Sequence, residues 1–257
     1  MSFREYLTSS ETIWRYGLYG LGVICAIALW YLSTSDPEGA LYKFNPVFTA
    51  QALYDLFLNA RFWEGVFETL KRLFGGLAIA TILGVLIGVP FGYFMRFQHF
   101  VYVPFQFLRY ISPLSWTPIA IIVFGIGSAP VYFLIAIAAI WPVIINTAVA
   151  VRNTEDQWID MARSLGAKNK DIIRHVLIRS ALPSMLVGVQ LALGVAWIVL
   201  VPAEMLGVAS GLGYMILDFR DVNDYASIMG VIISIGFLGL MTDIPLRLAI
   251  KAIDWRD

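Results

Sequence analysis

The interval Asn153–Pro183, NTEDQWIDMARSLGAKNKDIIRHVLIRSALP, decides how this chain is read, because it is a long polar stretch set between apolar runs. Arg163, Lys168, Lys170, Arg174 and Arg179 alternate there with Glu155, Asp156, Asp160 and Asp171. A turn between two membrane spans needs only a few residues. Roughly thirty residues with helical patterning instead suggest a folded element that something else grips.

Composition gives the setting for that element. The 257 residues are 59% hydrophobic and 14% charged, with a mean hydropathy of +0.75. A soluble domain is roughly 45–50% apolar and about 25% charged, so both departures point into a membrane. Lys and Arg number 18 against 18 Asp and Glu, and this balance carries no nucleic-acid signal. The single cysteine, Cys25, lies in an apolar run, so neither a disulfide framework nor a cysteine metal site is available. His99 and His175 are far apart in sequence, and no metal centre is expected.

Working outward, the apolar runs predict an all-α polytopic protein of about six spans. Gly17–Ser33 is a first, uncleaved span; TSDPEG follows it instead of a small-residue cleavage site. Residues 34–60 are mixed, and TAQALYDLFLNARFWEGVFETLKRLF predicts a surface-lying amphipathic helix leading into the second span, Leu73–Met95. In that span Gly84, Gly88 and Gly92 recur every four residues, the spacing that lets a second helix approach closely. The third region, Phe97–Ile126, opens with aromatics suited to an interfacial belt and is broken by Pro104, Pro113 and Pro118. Irregular backbone at membrane depth is tolerated where it lines a cavity, which makes RYISPLSWTP, 109–118, a pathway candidate. The remaining spans are predicted at Val131–Val151, Pro183–Val201 and Ala226–Thr242. Residues 1–60 thus form a tail, a first span and an external segment, and 61–257 the core with its loop at 153–183.

Basic residues fix the expected orientation. With both termini, the turn at Arg96 and the 152–182 loop in the cytoplasm, the Lys/Arg excess falls on one side. The opposite side then holds 34–60, the GIGSAP turn and 204–225, where Glu204, Asp218, Asp221 and Asp224 outnumber Arg220. The sequence contains no Gly-Lys pair and so no phosphate-cradling loop of the ATPase type. Nor does it hold paired carboxylates or a nucleophile elbow, so no enzymatic chemistry is expected in the chain.

Within the central interval, Asp160-Met161-Ala162 followed by Gly166 and an apolar stretch to Pro183 resembles the "EAA" loop of ABC-transporter permeases. It departs in having Asp for the leading Glu, Met161 for the first Ala, and Arg179 where the pattern has a Pro. The order TLKRLFGG, SPLSWTPIAIIVFGIG, IWPVIINTAVAVRN, DMARSLGA, ALPSMLVGVQLALGVAW, AEMLGVASGLGY is similar to the nitrate/bicarbonate/sulfonate/taurine branch of binding-protein-dependent permeases. The nitrate and bicarbonate members are the nearer match. The resemblance implies a type I importer permease fold and a cytoplasmic coupling helix, Asp160, Met161, Ala162, Gly166 and Ala167, that docks into a separate ATPase carrying ATP and Mg. It further implies a second permease copy, a periplasmic or lipid-anchored binding protein, and the bacterial inner membrane. Pathway candidates are Arg109, whose guanidinium suits an oxyanion or snorkels to the interface, together with Ser112, Ser115, Asn146 and Trp197. Glu204 is expected to contact the binding protein or close an outer gate. An ion-coupled transporter or channel is the alternative, but it calls for related halves and mid-span acids, and neither is evident.

Overall fold

A computed structural model describes residues 3–39, 41–154 and 156–253, and among them the chain is helical with no strand. The helices are α1 (Phe3–Ser33), α2 (Pro46–Leu58), α3 (Ala60–Tyr93), α4 (Met95–Tyr110), α5 (Thr117–Phe124) and α6 (Ser128–Arg152). They continue with α7 (Asp156–Ser164), α8 (Asn169–Gly207, with a π turn over Ile172–Leu177), α9 (Leu212–Asp221) and α10 (Tyr225–Ile253). Of these, α3, α6, α8 and α10 are long and apolar enough to cross a bilayer. A fifth crossing comes from α4 and the Pro113–Phe124 segment, bent by 89°. The apolar part of α1, Gly17–Ser33, is shorter; at ~1.5 Å per residue it reaches about 25 Å.

Three boundaries differ from the sequence reading. Residues 60–72 do not form a surface-lying helix, for Asn59 ends α2 and its side chain accepts from the Arg61 N–H to start α3. From there Phe62, Val66, Thr69 and Arg72 recur on one face and are buried. Leu56 of α2 joins the same cluster with Phe62, Leu212, Met215 and Val231. The fifth span begins at Asn169 rather than Pro183, which lies inside α8. The sixth extends to Ile253, so Asp243 stands within a candidate span. In the third region Pro104 sits inside α4 and Pro118 in the first turn of α5. Only Pro113 marks the break, because the residue before a proline is pushed off helical geometry: Ser112 has ψ 129.

The core is a three-helix seam. A Cβ added at Gly84 would lie 2.7 Å from that of Val143, one at Gly88 2.7 Å from that of Thr147, and one at Gly92 2.5 Å from the Ala148 carbonyl. The close approach expected from the glycine spacing is therefore present, and it runs in register, so α3 and α6 are parallel. Helix α8 runs the other way, with Gly188 against Asn146 and Gly207 near Val131. Ala80, Ala138, Ala139, Ala192, Ala196 and Ala203 fill the seam between Leu73, Leu134, Ile135 and Leu200. Small residues suit it, since within lipid helices associate by van der Waals packing rather than by escape from water.

This topology sorts the loops. The starts of α3 and α6, the end of α8 and α9 lie at one end of the seam. The ends of α3 and α6, α7 and the start of α8 lie at the other.

Candidate functional site

At the second of these ends, α7 is a nine-residue helix whose two faces differ. Ile159, Ala162 and, just beyond the helix, Ala167 pack on Val151, Ile172 and Leu177. Trp158, Met161 and Leu165 project outward, 51%, 54% and 83% exposed. Gly166 ends the helix with φ +83. Its N–H donates to the Arg163 carbonyl at 2.9 Å and the Ala167 N–H to the Ala162 carbonyl at 3.0 Å. This is the two-bond helix stop that requires a left-handed residue. Nothing lies within 4 Å of a Cβ added there, so the backbone conformation, not lack of space, selects glycine.

The sequence candidates Asp160, Met161, Ala162, Gly166 and Ala167 thus divide. Met161 and Asp160 face solvent, the latter 3.8 Å from Arg163, while the two alanines anchor the helix to the body. Trp158 and Leu165, which the sequence reading passed over, complete the exposed stripe; their spacing of seven residues around Met161 was the available signal.

At the opposite end, α3, α6, α8 and α9 meet around a buried ion pair. Arg72 and Glu204 are 2% and 0% exposed. Arg72 donates from Nη1 to Glu204 Oε1 and to the Ser210 carbonyl, both at 2.8 Å. Its Nη2 reaches the Ser210 hydroxyl at 2.6 Å and its Nε the Ser128 hydroxyl at 3.0 Å. Glu204 also accepts from the Gly213 N–H at 2.9 Å and from the Thr69 hydroxyl at 3.0 Å. The Thr69 hydroxyl in turn accepts from the Leu212 N–H at 2.8 Å. A Cβ on Gly211 would sit 2.5 Å from Glu204 Oε1, so glycine there makes room for the carboxylate. A buried pair of this kind persists only when its remaining lone pairs and protons are also satisfied, and here they are. Glu204 therefore presents no surface to a delivered protein in this arrangement. It ties four helices together instead. Arg72 and Thr69 carried no distinguishing local signal, lying in TLKRLF beside Lys71 like any interfacial basic cluster.

The five pathway candidates do not converge. Arg109 is exposed in the last turn of α4, without an ion pair among the described residues, and Ser112 and Ser115 follow it, also exposed, at the break. Asn146 donates to the Pro142 carbonyl at 2.9 Å and packs in the α6–α8 seam. Trp197 donates to the Thr242 hydroxyl at 3.1 Å, joining α8 to α10. Beside that contact Gln190 donates to Asp243 at 2.8 Å. An apolar cavity of about 730 Å³ beside the break, lined by Leu108, Trp116, Tyr132 and Trp141 among others, is lined by none of the five. No group of three or more His, Cys, Asp or Glu suited to a metal ion occurs among the described residues.

Comparison with known proteins agrees with this architecture. The chain is 31% identical to the bicarbonate transport system permease CmpB of Synechococcus elongatus, over 90% of this chain and 88% of that protein. It is 32% identical to the putative aliphatic sulfonates transport permease SsuC of Bacillus subtilis, over 95% of this chain and 88% of that protein. Among solved structures, the inward-facing MetNI methionine ABC transporter matches with a TM-score of 0.62 at 20% identity, covering 74% of this chain and 94% of that one. The likeness in fold is to a type I importer permease. Residues 80–256 match the family of binding-protein-dependent transport system inner membrane components, and this chain, a permease subunit of an ABC importer, belongs to it.

Proposed function

We propose that this permease carries a small anion, nitrate or bicarbonate first and an organosulfonate next, across the bacterial inner membrane. A periplasmic or lipid-anchored binding protein delivers the anion to the end that holds Arg72 and Glu204. Two permease copies and two ATPase subunits complete the transporter, and ATP and Mg belong to the ATPases. Both termini and α7 face the cytoplasm, where Asp160–Ala167 is the lever that the ATPase moves. One observation carries this reading. Trp158, Met161 and Leu165 form an apolar stripe on a charged, water-facing helix that is anchored from behind and stopped by Gly166. Three large apolar side chains exposed together in water mark a protein contact.

Support for an anion is the resemblance to bicarbonate and sulfonate permeases, joined by the unpaired Arg109 beside two hydroxyls at the helix break. The test is ATP hydrolysis by the permease–ATPase complex in proteoliposomes with its binding protein. Nitrate or bicarbonate should stimulate hydrolysis and enter the lumen with it. Stimulation by neutral or cationic solutes alone would overturn the anion reading, and uptake without any ATPase subunit would overturn the importer mechanism for this chain.

A further inference from the structure

Helix α4 has three faces. Val101 and Phe105 pack in one cluster with Phe91, Trp141 and Ile144, while Phe100, Val103 and Phe107 are exposed and apolar. Between these faces run His99, Tyr102, Gln106 and Arg109, spaced three, four and three residues apart and so aligned as one polar stripe. Ser112 and Ser115 follow at the break. At ~1.5 Å per residue Arg109 lies about 20 Å along the axis from Arg96, deep within a hydrocarbon core of about 30 Å. An ionised side chain at such depth belongs against protein or water rather than lipid. Gln106 supports the same reading. Its Oε1 is buried with no hydrogen-bond partner among the described residues, and its Nε2 reaches the Tyr102 hydroxyl only at 3.4 Å. Buried acceptors are paired by protein or by ordered water, so this one calls for water along the stripe.

Charge decides what such a wet stripe carries. Residues 69–154 hold Lys71, Arg72, Arg96, Arg109 and Arg152 but no Asp or Glu. Of the two helices packed on α4, α6 therefore has no carboxylate, and those of α3, Glu64 and Glu68, stand in its first turns at the outer end. Beyond the inner end, Asp156 opens α7, Asp160 is 3.8 Å from Arg163, and Asp171 accepts from the Lys168 N–H. Asp243 of α10 is held by Gln190 and Arg247. Every side chain of the stripe, by contrast, can donate a hydrogen bond to an anion.

We propose that this polar edge of α4 lines the inner leg of the anion's path, from Ser112 and Ser115 at the break down to His99. The inference rests on the anion reading above and deepens it. Arg109 supplies a full positive charge that draws the anion in, and Gln106 and Tyr102 add uncharged donors at steps of about 5 Å. Sites that are several and weak let an ion move on instead of trapping it. The apolar stripe beside them faces away from the water, so a single helix divides the path from the bilayer.

The test uses the permease–ATPase complex in nanodiscs, on a Cys25→Ser background. Gln106→Cys should react with a sulfonate-bearing thiosulfonate reagent at least about tenfold faster than Phe107→Cys, its neighbour on the apolar stripe. Relative to free thiol, that reagent should outpace its trimethylammonium counterpart at Gln106→Cys, and adding Arg109→Gln should abolish the preference. In proteoliposomes with the binding protein, Gln106→Glu should cut nitrate or bicarbonate uptake at least about tenfold, while Phe100→Leu leaves it unchanged. Equal rates for Gln106→Cys and Phe107→Cys, equal rates for the two reagents, or wild-type uptake by Gln106→Glu would overturn the track and leave the anion reading standing. If the wild-type complex takes up neither anion, the anion reading fails and the track with it. Because Gln106→Cys adds no charge, labelling decides the matter even if Gln106→Glu folds poorly.

Discussion

Arg72 and Glu204 are buried, so each charge depends on the other and on the groups around them: Ser128, Ser210 and Glu68 for Arg72, Gly213 and Thr69 for Glu204. Removing Glu204 leaves the buried Arg72 with only the longer contact to the partly exposed Glu68 carboxylate at 3.5 Å, and Glu204→Ala is expected to lower stability by about 3 kcal/mol. Replacing both at once, as in Arg72→Met with Glu204→Leu, should recover part of that loss, since two apolar side chains need no counter-charge. The remainder is the cost of the Gly213 N–H and the Ser210 carbonyl left without these partners. Thermal denaturation of the permease in nanodiscs measures both, and a single-variant loss below about 1 kcal/mol would mean that the pair is hydrated. Gly166 makes a subtler case. Alanine there should destabilise the end of α7 by roughly 1–2 kcal/mol because of its positive φ, whereas asparagine, which tolerates that region, should cost less. Hydrogen exchange at Ala167, whose N–H closes the helix stop, reads the difference.

At the level of whole elements, the α3–α6 seam makes its own prediction. A side chain at Gly88 meets the Thr147 Cβ at 2.7 Å and the Ile144 carbonyl at 2.9 Å. Gly88→Leu should therefore push the helices apart and cost about 1–3 kcal/mol or more in overpacking. Gly194, with nothing within 4 Å of an added Cβ, should accept alanine without loss; the melting temperatures of the two variants make the comparison. The glycine spacing in α3 was legible in the sequence because close packing is a local, periodic demand. So were the apolar runs and the glycine that ends α7. The polar knot was not, since Arg72 and Glu204 are 132 residues apart and nothing near either announces the other. For the same reason 60–72 read as a surface helix: Glu64, Glu68 and Lys71 are visible in the sequence, while the burial of Phe62 and Val66 comes from α9 and α10. Nor could sequence show that Arg109 is left exposed beside the 89° bend while Asn146 packs in the α6–α8 seam, because both depend on how the helices are arranged.

On the scale of the molecule, the two ends differ in charge. Arg96, Arg152, Arg174, Arg179 and Lys251 gather at the α7 end, while Glu64, Asp218, Asp221 and Asp224 crowd the other. That asymmetry predicts the orientation. In intact cells a membrane-impermeant thiol reagent should modify Asp221→Cys and spare Leu165→Cys, both on a Cys25→Ser background, and the reverse pattern would invert the topology.

The parallel run of α3 and α6 has a mechanical corollary. Two neighbours pointing the same way oblige the connecting chain to travel back across the bilayer, and residues 95–124 make that journey on the outside of the seam. They do so loosely: Phe105 is the sole buried residue of α4, and Thr117 and Ala120 the only ones of α5. The return leg is held by few buried side chains, chiefly Phe105 against Phe91 and Trp141, so it is expected to yield at Pro113 before the clasped helices lose their register, a compliant part hung on a stiff one.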